Sequence, residues 1–283
     1  MSRLTILDGP LGTQLGVRGA SIDSDLWSAS ANESHPHLIT QIHQEYVTAG
    51  ATVHTANTFR TQRRIWTEQS GLTWDSVTRR SVQLTRSAIG PDQRLAGSIA
   101  PLADCYRPEL SPANFDLFTT VSEHRMMADV LADAGCDVLL CETFAHGGES
   151  LIAVQQAVQT GVETWLALTA GPEADLLTPQ EVADAGRRAV DLGATAILIN
   201  CVAATKTLPF VQSLSNAHLG VPIGAYANAG CKDDRIGWND ASEASVAAYT
   251  QLATRWIESG ASIIGGCCGV TPQHIASLAS IEA

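Results

Sequence analysis

No apolar run in the 283 residues reaches the roughly 18 that a membrane-spanning helix needs. The opening Met1-Ser2-Arg3-Leu4 leads straight into a strand-like run and carries no apolar core of a secretory signal, so a cytoplasmic protein with no membrane partner is expected. Positive charge is scarce: 17 Lys and Arg against 29 Asp and Glu leave a net charge of −12. A phosphate backbone must be neutralised by a basic surface, so nucleic acid is not an expected partner. No linker or low-complexity tract divides the chain, and one domain over residues 1–283 is expected. Asp8-Gly9-Pro10-Leu11-Gly12-Thr13 carries glycines after the first apolar run but lacks the G-x-G-x-x-G pattern, which argues against an open dinucleotide-binding sheet.

What is present is a repeat of pattern. Short apolar, β-branched runs recur at Leu4–Asp8, Thr52–Phe59, Arg94–Pro101, Val138–Phe144, Thr164–Gly171, Ala196–Val202, Pro222–Gly230 and Ser262–Cys268. Segments with helical apolar spacing lie between them, for example Leu38, Ile42, Tyr46 and Ala49, or Val182, Ala185, Ala189 and Leu192. Thr178-Pro179-Gln180-Glu181 and Thr271-Pro272-Gln273-His274 read as helix starts with Pro at the first helical position. Gly50, Gly135, Gly193 and Gly260 precede strand runs, where a left-handed residue ends a helix. Eight strand–helix units in this length predict an α/β fold, a (β/α)8 barrel.

In such a barrel the active site lies at the C-terminal strand ends. Asp8, Asn57, Thr58, Glu142, Thr143, Asn200, Cys201, Asn228, Cys267 and Cys268 all follow apolar runs at that end. Polar groups so placed are expensive unless paired or used. The seven cysteines are odd in number in a chain read as cytoplasmic, which favours metal binding or catalysis over disulfides. Three thiolates from two strand ends, Cys201, Cys267 and Cys268, suit one soft metal with a fourth position left open, as in a catalytic zinc site. Cys105, Cys136, Cys141 and Cys231 read as inert small hydrophobes. None of the histidines shows ligand spacing such as H-E-x-x-H. His54 reads as a barrel residue or a supporter of the site, His146 as a loop residue, His35, His37 and His43 as lying in or before a helix, and His124, His218 and His274 as surface residues.

The chain resembles the homocysteine S-methyltransferase family. The resemblance is carried, in order along the chain, by Leu7-Asp8-Gly9-Pro10-Leu11-Gly12-Thr13, Thr55-Ala56-Asn57-Thr58-Phe59, Cys141-Glu142-Thr143, Asn200-Cys201 and Gly265-Gly266-Cys267-Cys268-Gly269-Val270-Thr271-Pro272-Gln273-His274-Ile275. It implies Zn2+ on Cys201, Cys267 and Cys268, with the homocysteine thiolate at the open position. It also implies that Asp8 and Glu142 bind the amino group of homocysteine, with Gly9, Asn57, Thr58, Asn200 and Asn228 around the substrate. The implied product is methionine. Implied donors are small molecules, S-methylmethionine or S-adenosylmethionine first, then betaine, since 283 residues leave no room for separate folate and cobalamin domains.

A cationic donor is held by aromatic faces, and Trp27, Phe59, Phe144 and Tyr226 are the candidates. Arg60 stands where relatives tend to carry a neutral residue; facing the pocket, it would favour a donor bearing a carboxylate. The segment 100–108 is expected to line the donor side. Two other classes compete. Zinc-dependent hydrolysis would want a general base and histidine or carboxylate ligands, and none is found. A non-catalytic zinc or redox-sensing barrel would leave Asp8 and Glu142 without a task.

Overall fold

A computed structural model describes residues 4–22, 25–66, 72–230 and 238–281; Cys231 lies outside them. Eight strands form one sheet: β1 (Thr5–Ile6), β2 (Val53–Thr55), β3 (Arg94–Ile99), β4 (Val138–Phe144), β5 (Glu163–Leu168), β6 (Ala196–Ala203), β7 (Ile223–Asn228) and β8 (Ile263–Gly266). All neighbours pair in parallel, and β1 pairs with β8. Thr52 N–H donates to Ile6 O at 2.8 Å and Asp8 N–H to Val53 O at 3.0 Å, which joins β1 to β2 and closes the barrel. No helix among the described residues is long and apolar enough to cross a membrane.

Strand alternation divides the apolar residues between two layers. Leu7, Val53, Ala96, Leu140, Ala167, Leu198 and Ile263 fill the barrel interior. Ile6, Leu95, Leu139, Leu166, Ile197 and Ala225 face the helices. The helix stops expected at Gly50, Gly135, Gly193 and Gly260 are in place, with φ of +93°, +86°, +111° and +103°. Thr178 and Glu181 form a reciprocal capping box ahead of the helix Pro179–Leu192.

Two strands break alternation where they reach the site. Register shifts interrupt the β4–β5 ladder between Cys141 and Phe144 and the β6–β7 ladder between Asn200 and Ala203. Thr143 and Cys201, neither a glycine, take φ of +63° and +51° there. Each shift is a bulge that re-aims the following side chains.

Candidate active site

A cavity of about 840 Å³ opens at the C-terminal ends of the strands, lined among others by Asp8, Gly9, Asn57, Glu142, Cys201, Cys267 and Cys268. The three cysteine sulfurs lie within 4.8 Å of one another. Cys201 reaches the group because its bulge turns it off the outer face of β6. Cys267 and Cys268 arrive on the turn after β8, where Gly269 N–H donates to Thr13 Oγ1 at 3.3 Å and ties that turn to the helix Leu11–Val17. Burial pushes the Cys268 thiol up to about 11. The sulfurs of Cys201 and Cys267 are paired as a disulfide, which the sequence reading did not expect. Sulfurs gathered this closely at one mouth either pair or share an ion. As a donor set, three soft thiolates with room beside them fit a catalytic zinc ion.

Asp8 is buried and Glu142 half-buried on the same cavity wall. Asp8 Oδ2 accepts the Thr55 N–H at 3.0 Å. Glu142 Oε1 accepts from Ser98 Oγ at 2.5 Å and Oε2 from the Tyr226 hydroxyl at 2.9 Å. Burial raises both carboxyls above the usual range, and for Asp8 the nearby charge of Glu142 adds to it. Neither has a cationic side chain as partner in its hydrogen bonds, so the pair offers an ammonium group two acceptors.

Gly9 and Gly12 leave room that a side chain would take. A Cβ on Gly9 would stand 2.5 Å from the Tyr46 hydroxyl, and one on Gly12 would overlap the Trp27 indole. Trp27 therefore lies over the cavity, edge to face with Phe59 at 5.9 Å between ring centroids. Asn57 fastens that turn: its Nδ2 donates to Ser28 O and its Oδ1 accepts from Ser28 Oγ, both at 2.7 Å. Arg60 lies 5.4 Å from the Phe59 centroid, and its Nη1 donates to Ala103 O at 3.2 Å. The segment expected on the donor side does line the cavity with Leu102, Ala103, Asp104, Cys105 and Tyr106.

Several sequence candidates take other positions. Phe144 is fully buried among the helices against His124, because the bulge before it reverses its face. Thr58 is a rung between strands, accepting Ser98 N–H and donating to Ser98 O. Asn200 Nδ2 donates to Thr143 Oγ1 at 2.8 Å and Asn228 Nδ2 to Cys201 O at 3.1 Å, so these amides bolt the two bulges and do not line the cavity. Tyr226 lines it, yet its hydroxyl is committed to Glu142.

His124 and His274 are buried, not on the surface. His124 shares an inward stripe with Thr120, Met127 and Leu131, a spacing readable in the sequence. It meets Glu149 at 3.2 Å. Glu149 also accepts the Leu102 N–H at 2.7 Å and the Ser111 hydroxyl, and so anchors the donor-side segment. His274 faces Thr271 within its own helix start, with the Thr271 N–H donating to Nδ1 at 3.2 Å.

The family model for homocysteine S-methyltransferase matches residues 5–281. Among curated relatives, a homocysteine S-methyltransferase of Escherichia coli is 28% identical, with 97% of this chain and 94% of that one covered. A selenocysteine methyltransferase of Astragalus bisulcatus is 27% identical, with 99% and 92% covered. Among solved structures, the metallated form of the homocysteine methyltransferase MmuM from Escherichia coli has the same fold, with a TM-score of 0.81 at 24% identity over 99% of this chain and 96% of that one.

Proposed function

The chain belongs to the homocysteine S-methyltransferase family, and we propose that it moves a methyl group from a small sulfonium or ammonium donor to the sulfur of homocysteine, forming methionine. S-Methylmethionine and S-adenosylmethionine are favoured over betaine. The observation that carries this reading is one cavity holding three clustered cysteine sulfurs and two carboxyls, Asp8 and Glu142, with no Lys or Arg partner.

Cys201, Cys267 and Cys268 would hold the zinc ion, whose chemistry when bound is to keep the acceptor's sulfur deprotonated at neutral pH. The chain's own task is alignment. Asp8 and Glu142 bind the amino group through charge-assisted hydrogen bonds and so set the direction of the thiol arm. Ser98 and Tyr226 hold Glu142 in place by donating to it. Trp27 and Phe59 offer aromatic faces to the donor's cationic centre, and Arg60 reaches a donor carboxylate. The bond from methyl to the donor's sulfur or nitrogen breaks as the new carbon–sulfur bond forms, so acceptor sulfur, methyl carbon and leaving atom must be collinear. A sulfonium donor leaves as a neutral thioether, and no general base acts on it.

A non-catalytic redox barrel draws support from the Cys201–Cys267 pairing but gives Asp8 and Glu142 nothing to do. The deciding experiment measures metal content and then mixes the protein with homocysteine and, separately, S-methylmethionine, S-adenosylmethionine and betaine. About one zinc per chain with methionine formed from a sulfonium donor is expected. Protein purified under reducing conditions without metal, or metallated protein inert with every thiol–donor pair, overturns the reading.

A further inference from the structure

Behind Asp8, on the side away from the clustered cysteines, stand two imidazoles. His43 comes from the helix Pro36–Thr48 and His54 from β2, on the strand face opposite Val53. Their Nδ1 atoms lie 3.7 and 3.9 Å from the same oxygen, Asp8 Oδ2. Both Nδ1 atoms are buried and have no hydrogen-bond partner.

The far nitrogens fix the tautomers. Thr85 gives its hydroxyl proton to Ser81 O, so at 3.1 Å from His43 Nε2 it accepts, and that nitrogen carries the hydrogen. His54 Nε2 lies 3.2 Å from Gln93 Oε1, an acceptor, and carries its hydrogen too. Each Nδ1 is therefore a bare lone pair. Two lone pairs facing a carboxylate oxygen in a buried space repel one another unless a cation lies among them. The smallest such cation is a proton.

We propose that His43 and His54 are positioning residues that form, with Asp8, a buried proton site: the proton rests on the Asp8 carboxyl in the empty cavity and passes to Nδ1 of His54 when the amino group of the acceptor amino acid arrives. The inference rests on the reading that Asp8 holds that amino group. The Asp8 O–H bond breaks and the His54 N–H bond forms, so the trio keeps its proton and gains an ion pair. Closing 3.9 Å to hydrogen-bond length asks for a movement of about 1 Å.

The resting position of the proton follows from burial, which raises Asp8 and lowers His43 to about 3 and His54 to about 4. An ammonium at the cavity side of Asp8 reverses that order by favouring the carboxylate. His54 is the better acceptor, because its hydrogen bond to Gln93 supports the charged ring. The other groups facing Asp8 are Glu142 from β4, Tyr46 from the same helix as His43, and Tyr226 from β7. Both phenols stay neutral, held well above their usual range by burial. A divalent metal in place of the proton would repel the ammonium that Asp8 serves.

Methionine tests this, because it has the amino group but no thiol to contribute a proton. Binding is followed by calorimetry in buffers of different ionisation heat, which counts protons exchanged with solvent. At neutral pH the His43→Gln/His54→Gln variant is expected to release about one proton more than the wild type. With histidine-labelled wild-type protein, the His54 Nδ1 resonance should move from bare to protonated on adding methionine, a readout that needs no variant to fold. Equal proton release by the variant and the wild type, an unmoved His54 resonance, or a second metal ion lost on His43→Gln each overturns the inference. Methionine binding unchanged by Asp8→Ala would instead remove the amino-group reading, and this inference with it.

Discussion

Asp8→Asn should stabilise the protein with its cavity empty while crippling acceptor binding. In the unfolded chain Asp8 ionises near about 4; in the folded chain burial holds its proton to higher pH. Between those two values the folded state binds more protons than the unfolded one. The stability from the neutral form is thus complete below about pH 4 and declines as pH rises, until the folded-state value is passed. The slope is at most about 1.4 kcal/mol per pH unit for one group, and Glu142, raised in the same direction, adds its own. An amide at position 8 removes one group's slope and can still accept the Thr55 N–H. From pH 5 to 7 the variant should gain up to about 2.7 kcal/mol relative to wild type, or roughly 5–10 °C in melting temperature for a chain of this size. Urea unfolding at pH 5, 6 and 7 without ligand reads the effect. Replacing a charge-assisted hydrogen bond costs about 1.5–3 kcal/mol of binding, so KM for homocysteine should rise about 10- to 100-fold. Parallel stability curves for variant and wild type across that range would refute the account of Asp8 as a carboxyl held neutral by burial.

Cys268→Ala should lose metal and activity together, whereas Cys136→Ala, buried among the helices, should keep both at a stability cost of about 1 kcal/mol; metal analysis beside the methyl-transfer assay separates them, and retained metal in Cys268→Ala contradicts the ligand assignment. Arg60→Ala should lower kcat/KM about 10-fold for carboxylate-bearing donors and leave KM for homocysteine alone; unchanged donor kinetics would sink the role given to Arg60. Glu149→Gln should cost about 2 kcal/mol of stability, because Leu102, Ser111 and His124 all bond to that carboxylate. Its KM for donor should rise more than its KM for acceptor, and an equal rise in both would show that the anchored segment does not belong to the donor side.

How far the site was legible follows from where strand alternation holds. The register runs unbroken along β1, β2, β7 and β8, and the residues that follow their apolar runs, Asp8, Asn57, Cys267 and Cys268, line the cavity. It fails on β4 and β6, where an extra residue enters each strand. Nothing local in Cys141-Glu142-Thr143 or Asn200-Cys201-Val202 announces a bulge, since Thr143 and Cys201 are not residues that favour positive φ. The bulge puts Cys201 at the cavity and Phe144 among the helices, and only the pairing partners reveal it. Asn200 and Asn228 are a second case: an amide at a strand end looks alike whether it meets a substrate or bolts a strained backbone. The hydroxyl and the backbone carbonyl they satisfy belong to other strands, at sequence separations of 57 and 27. His43 and His54 are a third case. Each sits at an apolar helix or strand position, where a histidine reads as a tolerated core residue. Their meaning depends on both facing one oxygen of Asp8 across two elements, with their outer nitrogens pinned by Thr85 and Gln93. A polar strand-end residue thus points to a ligand when the fold leaves its polar atoms without a matching charge, as with Asp8 and Glu142, and to scaffolding when it closes a neighbour's backbone.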